Sequence, residues 1–175
     1  MDALSYMHGC GIAHRDINPD NLLVDQSLAL KLCDFGFATR VTAAGQNADA
    51  AAAAEAVGTL NYIAPEVLLR DGLAGGGCDL RAADVWAAGV VMYEALLGHV
   101  PFLLEEEEEP GVDVLHPVDS PAPLSMEAVD FIAATLHRSP DCRPTASALL
   151  EHAFFGGSFC AFPGTKGEIL MRAQA

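Results

Sequence analysis

The segment DVWAAGVVMYEALLG, residues 84–98, most constrains the fold of this 175-residue chain. Apolar residues such as Val85, Val90, Leu96 and Leu97 lie on nearly every side of a helix drawn through it. A helix that is apolar all round is stable only when other elements cover it. The sequence therefore predicts a helix over 84–98 at the centre of the core.

Shorter elements are predicted around this helix. They are helices over 1–8, 126–137 and 146–150, and a hairpin with strands over 21–24 and 28–33. Ser125 and Thr145 supply N-caps for the second and third of these helices. The hairpin follows from two short apolar runs joined by a polar turn. The fold class predicted is α+β, predominantly α-helical, with polar loops carried on the hairpin.

Charge and cysteine content argue against several classes of function. The formal net charge of −15 argues against a nucleic-acid partner or an anionic membrane surface and favours basic partners. The five cysteines form no CxxC pair, so neither a zinc site nor a disulfide framework is expected. No apolar stretch approaches the ~20 residues of a membrane span, and the first residues do not read as a signal peptide. We expect an intracellular protein, cytoplasmic or nuclear and not secreted.

The segment IAHRDINPDNLLV, residues 12–24, places an unusual set of polar groups between two apolar runs. Asp16 and Asn21 are five residues apart, and Asp34 follows 18 residues after Asp16 in DFG. Such residues also serve turns and helix caps, which is the structural alternative to a functional site. HRD, residues 14–16, and DFG, residues 34–36, each carry little information alone, whereas their order and spacing carry more.

The order HRDxxxxN, DFG, GTLNYIAPE, DVWAAG and CRPTA resembles the second half of a eukaryotic protein kinase catalytic domain. GTLNYIAPE and HRDINPDN resemble the serine/threonine type. The resemblance implies the C-terminal lobe of such a domain over residues 1–155, with an activation segment over 34–66. Residues 156–175 would be a C-terminal tail.

The resemblance also implies ATP and Mg²⁺ as cofactors and a protein substrate. Asp16 would accept the proton of the substrate hydroxyl and align that hydroxyl with the γ-phosphate. Asn21 and Asp34 would hold magnesium, which prefers oxygen ligands.

Other matched positions would line or support the nucleotide. Leu23 would form the floor of the adenine pocket, although plain core packing is an equal alternative. Cys33 would lie beside the nucleotide as a small apolar wall. His14 and Phe35 resemble members of the family's stacked hydrophobic spine, and Gly36 completes the DFG motif.

Three further positions match architectural residues of the family. Asp84, in the central helix, would hold the backbone of the HRD loop. Glu66 and Arg143 would form the buried ion pair that ties the activation segment to the lower lobe. Removing one member of such a pair leaves an unpaired buried charge.

Substrate recognition is expected at three positions. Thr59 would hydrogen-bond the catalytic Asp16. Asp20 and Glu94 match positions where some kinases meet arginines upstream of the target residue, which would favour basic substrates. The alternative is that both are ordinary surface carboxylates.

The chain departs from the family pattern at two positions. Asn18 stands where a lysine usually steadies the γ-phosphate, so a charge-assisted contact would become a weaker neutral hydrogen bond. Glu55 stands where a phosphorylated residue often pairs with the arginine of HRD, here Arg15, and would imitate phosphate with one charge. Its alternative is a solvated residue on an insertion. Thr39 and Thr42 are candidate phosphorylation sites.

No Gly-rich loop and no strand lysine precede the HRD loop in this sequence. We therefore expect these 175 residues to lack the upper lobe of the kinase domain. That lobe would be supplied in cis or by another chain. Two hypotheses remain open: a serine/threonine kinase represented by its lower lobe, and a non-catalytic scaffold built on such a lobe. The intact Asp16, Asn21 and Asp34 favour the first, and the missing upper lobe favours the second.

Overall fold

The structure, a computed structural model, describes residues 1–42, 57–68, 78–101 and 124–156. Six α-helices and four short strands lie in these ranges. The helices are α1 Asp2–Gly9, α2 Pro65–Leu68, α3 Leu80–Leu97, α4 Met126–Thr135, α5 Ala146–Leu150 and α6 Ala153–Gly156. The strands are β1 Ile12–Ala13, β2 Leu22–Val24, β3 Leu30–Leu32 and β4 Thr39–Arg40, and 3₁₀ turns span Pro19–Asn21, Leu60–Tyr62 and Pro140–Cys142. This mixture of helices and small sheets agrees with the α+β expectation.

Helix α3 is the predicted central helix, but it begins four residues before the predicted start. Asp79 caps it, because its side chain accepts hydrogen bonds from the backbone N–H groups of Arg81 and Ala82. Gly98 ends the helix in the left-handed conformation, at φ 81°. The added first turn places Asp84 inside the helix, so the carboxylate projects from a fixed backbone.

The core lies on both sides of α3. On one side Val85 and Ala87 pack with residues from α1, α4 and α5, and on the other Trp86 and Val90 pack with α4. Where α3 crosses α4, a Cβ on Gly89 would lie 2.4 Å from Thr135 Oγ1. Glycine is therefore required there for the two helices to approach so closely.

Strands β2 and β3 form the predicted antiparallel hairpin, with Leu22 opposite Leu32. Asp25 closes its turn by accepting hydrogen bonds from the Ser27 hydroxyl and N–H and from the Ala29 N–H. The Ser27 hydroxyl contributes most to lowering the pKa of Asp25 to about 2. The hairpin therefore has a defined turn, and at the opposite end its two strands lie in register.

A second antiparallel ladder pairs β1 with β4 and was not predicted from the sequence. Each strand has only two residues, and alternation cannot be recognised over so short a length. The hydrogen bond from Val41 N–H to the Gly11 carbonyl extends the ladder by one step. The ladder fixes the chain on both sides of the HRD and DFG loops.

Several sequence-based expectations fall outside the described residues. They concern Glu55 with the insertion that would carry it, and the tail beyond residue 156. Among the helices that the structure describes, none is long and apolar enough to cross a membrane.

Candidate active site

The backbone of the loop after β1 is held by one buried carboxylate of α3. Asp84 is 1% exposed, and its two oxygens accept the backbone N–H groups of His14 and Arg15, each at 2.8 Å. Arg15 has a φ of 71°, in the left-handed region that side-chain-bearing residues rarely adopt. The two hydrogen bonds hold the backbone in this left-handed conformation at Arg15. Asp84 therefore sets the direction in which the Asp16 side chain projects from the backbone.

His8 of α1 is a member of this cluster that sequence reasoning missed. Its Nε2 lies 2.8 Å from Asp84 Oδ2, and its side chain is only 10% exposed. The sequence places His8 only at the end of the predicted helix over 1–8. Its partner lies 76 residues away, and no local pattern reveals such a contact.

Asp16 is held by four side-chain hydrogen bonds that use its two oxygens unequally. Its Oδ1 accepts the N–H and the hydroxyl of Thr59 and the Nδ2 of Asn18, all at 2.9 Å. Its Oδ2 accepts a single bond of 2.9 Å, from Asn21 Nδ2. Each carboxylate oxygen has about two acceptor positions, so Oδ1 is fully used and the remaining capacity lies on Oδ2.

Asn21 is oriented by the bonds it donates to Asp16. Its Nδ2 lies 2.8 Å from the Asp16 carbonyl and 2.9 Å from Asp16 Oδ2, so both amide hydrogens are used. Because the amide is planar, its Oδ1 points away from Asp16. The side chain can therefore offer a fixed oxygen on the face opposite the carboxylate.

Asp34 is brought to Asn21 by the register of the hairpin. Leu22 pairs with Leu32, and the ladder continues one step through the bond from Cys33 N–H to the Asn21 carbonyl, at 3.0 Å. Asn21 directly precedes β2, and Asp34 follows Cys33, so both lie at the same end of the hairpin. Asp34 is exposed and left-handed, at φ 58°.

Gly36 completes this turn by donating its N–H to Asp34 Oδ1 at 3.0 Å. The bond fixes one oxygen of an otherwise exposed carboxylate. The end of the hairpin thus gathers two oxygen-bearing side chains, Asn21 and Asp34, beside a third, Asp16.

The apolar residues of the predicted nucleotide site differ in their burial. Leu23 and Phe35 are 55% and 54% exposed, so Leu23 is not a core residue among the described ranges. His14 is fully buried; its Nε2 lies 3.1 Å from the Cys33 carbonyl, and its ring meets Phe35 edge-on at 5.2 Å. Cys33 is half-buried, and its Sγ lies 3.4 Å from the Asn21 carbonyl. His14 therefore joins the HRD and DFG loops.

Glu66 and Arg143 form a bidentate ion pair with two contacts of 2.7 Å. The Arg143 side chain has no exposed surface, and its other N–H groups bond the carbonyls of Ala82, His137 and Arg138. All five guanidinium donors are used. This pair anchors α2, which follows the GTLNYIA segment, to α3 and to the turn before α5.

Tyr62 contacts Glu94, one of the two acidic residues that were predicted to meet basic substrates. Its hydroxyl donates a 2.6 Å hydrogen bond to Glu94 Oε2. Burial, the Glu94 bond and the negative charges of Glu94 and Asp20 together raise the pKa of Tyr62 well above its ordinary value. Tyr62 also lines one cavity together with Asp16 and Thr59. Glu94 is therefore linked through the Tyr62 hydroxyl to the cavity that Asp16 lines.

The regulatory expectations stay predictions. Thr39 lies in β4 and Thr42 is exposed just after it, whereas Glu55 lies outside the described residues. Arg15 lines the same cavity as Asp16.

Comparison with known proteins gives one consistent result. The family model described as protein kinase domain matches residues 1–155. The serine/threonine-protein kinase ksg1 of Schizosaccharomyces pombe is 34% identical over 167 residues, which are 90% of this chain and 27% of that protein. CBL-interacting protein kinase 9 of rice, Oryza sativa subsp. japonica, is 35% identical over 161 residues, with 89% and 32% covered.

A third relative is the serine/threonine-protein kinase PLK4 of Drosophila persimilis, 36% identical over 171 residues, with 94% of this chain and 21% of that protein covered. The chain thus spans between about a fifth and a third of the length of these relatives.

Proposed function

Because the chain belongs to the protein kinase family, we propose that residues 1–155 carry out the catalysis of a serine/threonine protein kinase. The reaction is transfer of the γ-phosphate of ATP to a serine or threonine hydroxyl of a protein. The observation that supports it best is the meeting of Asp16, Asn21 and Asp34 at one end of the hairpin. Turn and cap chemistry alone does not explain why the Asn21 amide donates to the Asp16 carboxylate while Asn21 Oδ1 points away from it.

In this proposal Asp16 accepts the proton of the substrate hydroxyl at Oδ2, the oxygen with remaining acceptor capacity. The substrate oxygen forms a bond to the γ-phosphorus as the bond to the bridging oxygen of ADP breaks. Asn21 Oδ1 and the Asp34 carboxylate would hold Mg²⁺, and both are the oxygen ligands that this ion prefers. When bound, the ion neutralises phosphate charge. The residues present therefore fit the cofactor.

Residues 1–155 would form the lower lobe, with 34–66 as activation segment and 156–175 as a tail. Support comes from apolar side chains exposed around the hairpin. They are Leu23, Val24, Leu28, Leu30, Phe35 and Phe37, each at least 42% exposed. Several large apolar side chains exposed on one small hairpin and the loop after it are typical of a surface that another element covers. An upper lobe, in cis or on another chain, would cover this surface and enclose the adenine between itself, Leu23 and Cys33.

Thermal unfolding with and without Mg·ATP tests the proposed function. Ligand at 100 times its dissociation constant adds about 2.7 kcal/mol to the free energy of unfolding, a rise in Tm of about 5–10 °C in a domain of this size. We expect this rise in the wild-type chain and its loss in Asp34→Asn, because asparagine keeps the left-handed backbone but removes the charge. Asp141→Asn makes the same charge change at an exposed position and should leave the rise intact.

A second candidate is a non-catalytic scaffold, and the exposed apolar surface favours it for this chain taken alone. A cooperative unfolding transition that does not respond to Mg·ATP would reject nucleotide binding and favour the scaffold. A rise that persists in Asp34→Asn would place the metal elsewhere.

The substrate is proposed to be basic around the target residue. Support comes from Asp20 and Glu94, whose charges both act on Tyr62 beside the cavity that Asp16 lines. We expect a serine peptide with upstream arginines to bind Glu94→Gln about two- to fivefold more weakly than wild type, the size of one exposed charge pair. Glu151→Gln makes the same charge change at an exposed position that does not line the cavity and serves as the control. Fluorescence anisotropy at two salt concentrations measures this, and equal affinity for arginine and alanine peptides would reject the preference.

A further inference from the structure

Asn18 is almost fully buried in the HRD loop, at 3% exposure. The family pattern gave the expectation that it makes a weakened contact with the γ-phosphate. The structure gives a different arrangement, because the polar atoms of Asn18 are all engaged within the chain. Both its carbonyl oxygen and its amide nitrogen have partners.

One half of the side chain caps the 3₁₀ turn Pro19–Asn21. Asn18 Oδ1 accepts the backbone N–H groups of Asp20 and Asn21, at 2.9 and 3.2 Å. Asparagine is among the best N-cap residues, and proline suits the position after it. This cap holds the backbone of Asn21.

The other half connects two distant segments. Asn18 Nδ2 lies 2.9 Å from Asp16 Oδ1 and 2.9 Å from Thr59 Oγ1, with the Asp16 carbonyl at 3.3 Å. Its two hydrogens therefore already have acceptors, and no donor is left for a phosphate. Thr59 is 41 residues away and itself bonds the same carboxylate oxygen.

We propose that Asn18 is a positioning residue that locks Asp16 to Thr59 and does not bind phosphate. Its amide, with Thr59, fills Asp16 Oδ1, so only Oδ2 is left to face a substrate hydroxyl. Position 18 then contributes no positive charge to the transferred phosphate, whose charge must be neutralised by the metal and by other groups. The catalytic meaning of the lock rests on the proposed function, but the lock itself does not.

Amide hydrogen exchange of the nucleotide-free chain, followed by NMR, tests the lock. Asn18→Ser keeps an N-cap oxygen but loses both bridging donors, whereas Asn18→Ala loses the cap as well. In Asn18→Ser we expect the Thr59 amide to exchange about tenfold faster, with a Tm within about 2 °C of wild type. Asn18→Ala should show the same exchange and a Tm lower by a further 2–4 °C, roughly the loss of one cap.

Thr59→Val supplies an independent variant, because it removes the hydroxyl from the other side of the bridge. If the two residues act through Asp16, the double variant Asn18→Ser/Thr59→Val should exchange at position 59 no more than about twofold faster than either single variant. Independent, multiplying effects would overturn the lock.

Two further outcomes would overturn the proposal. Unchanged exchange at Thr59 in Asn18→Ser would mean that Asn18 is only a cap. Unchanged exchange together with a loss of the Mg·ATP-dependent Tm rise would mean that it contacts phosphate. Failure of the proposed function looks different: Mg·ATP then raises no Tm in any variant, while the Thr59 amide still responds to Asn18→Ser.

Discussion

Replacing Arg143 with alanine is expected to lower the free energy of unfolding by about 3–5 kcal/mol, the cost of breaking a buried ion pair by removing one partner. The guanidinium is fully buried and makes two 2.7 Å contacts with Glu66. Alanine leaves that carboxylate, whose side chain is 11% exposed, without its charge partner. It also leaves the carbonyls of Ala82 and His137 without their donor. A fall in Tm on the order of 10 °C should follow.

One variant separates the charge of this pair from its geometry, and a second gives the cost of breaking an exposed pair. Arg143→Lys keeps the positive charge but cannot reproduce the planar fork, so an intermediate loss is expected. Lys31→Ala removes one member of an exposed pair, 3.5 Å from Asp25, and should change the free energy of unfolding by less than about 1 kcal/mol. Denaturant unfolding of all three variants measures the differences. An Arg143→Ala variant as stable as Lys31→Ala would refute the structural role of the pair.

Replacing Asp84 with alanine is expected to cost about 3 kcal/mol or more and to release the HRD loop. The carboxylate accepts three bonds of 2.8 Å, from the backbone N–H groups of His14 and Arg15 and from the ring of His8. Each donor left unpaired in a buried site costs about 1–3 kcal/mol. Arg15 is also in a strained left-handed conformation that these bonds hold in place.

Hydrogen exchange distinguishes loop release from general destabilisation. In Asp84→Ala the amide exchange rates of His14 and Arg15 should rise much more than those of the α3 amides. Val85→Ala is the matched control, because Val85 is equally buried on the same helix but bonds neither amide. Uniformly faster exchange in both variants would mean that Asp84 supports the core and has no special role in holding the loop.

Much of the fold could be predicted because its signals are local. The apolar pattern predicts α3, and Ser125 and Thr145 cap α4 and α5 as predicted, each accepting the N–H three residues ahead. The start of α3 was misplaced because Asp79 lies outside the apolar pattern. The β1–β4 ladder has no sequence signal, since two-residue strands are specified by the chain around them.

The candidate site was predictable in its residues and less so in its contacts. The spacing of Asp16, Asn21 and Asp34 in the sequence predicts that they share one site. The register of the hairpin is the physical reason for their proximity. The inward direction of Asn18 could not be read from the sequence, because it depends on Thr59 arriving from 41 residues away. His8 and Tyr62 were missed for the same reason. Single polar residues reveal their partners only when the chain is folded.

The most direct test of the central claim is an NMR spectrum of the chain with Mn·ATP. Mn²⁺ takes the same oxygen ligands as Mg²⁺ and broadens the signals of nearby nuclei. Mn²⁺ without ATP serves as a control for binding to acidic segments such as residues 105–109. We expect ATP-dependent broadening centred on the amides of Asn21 and Leu22 and of Cys33 to Gly36. Broadening centred elsewhere, or none that depends on ATP, would contradict the claim that this end of the hairpin is a metal–nucleotide site.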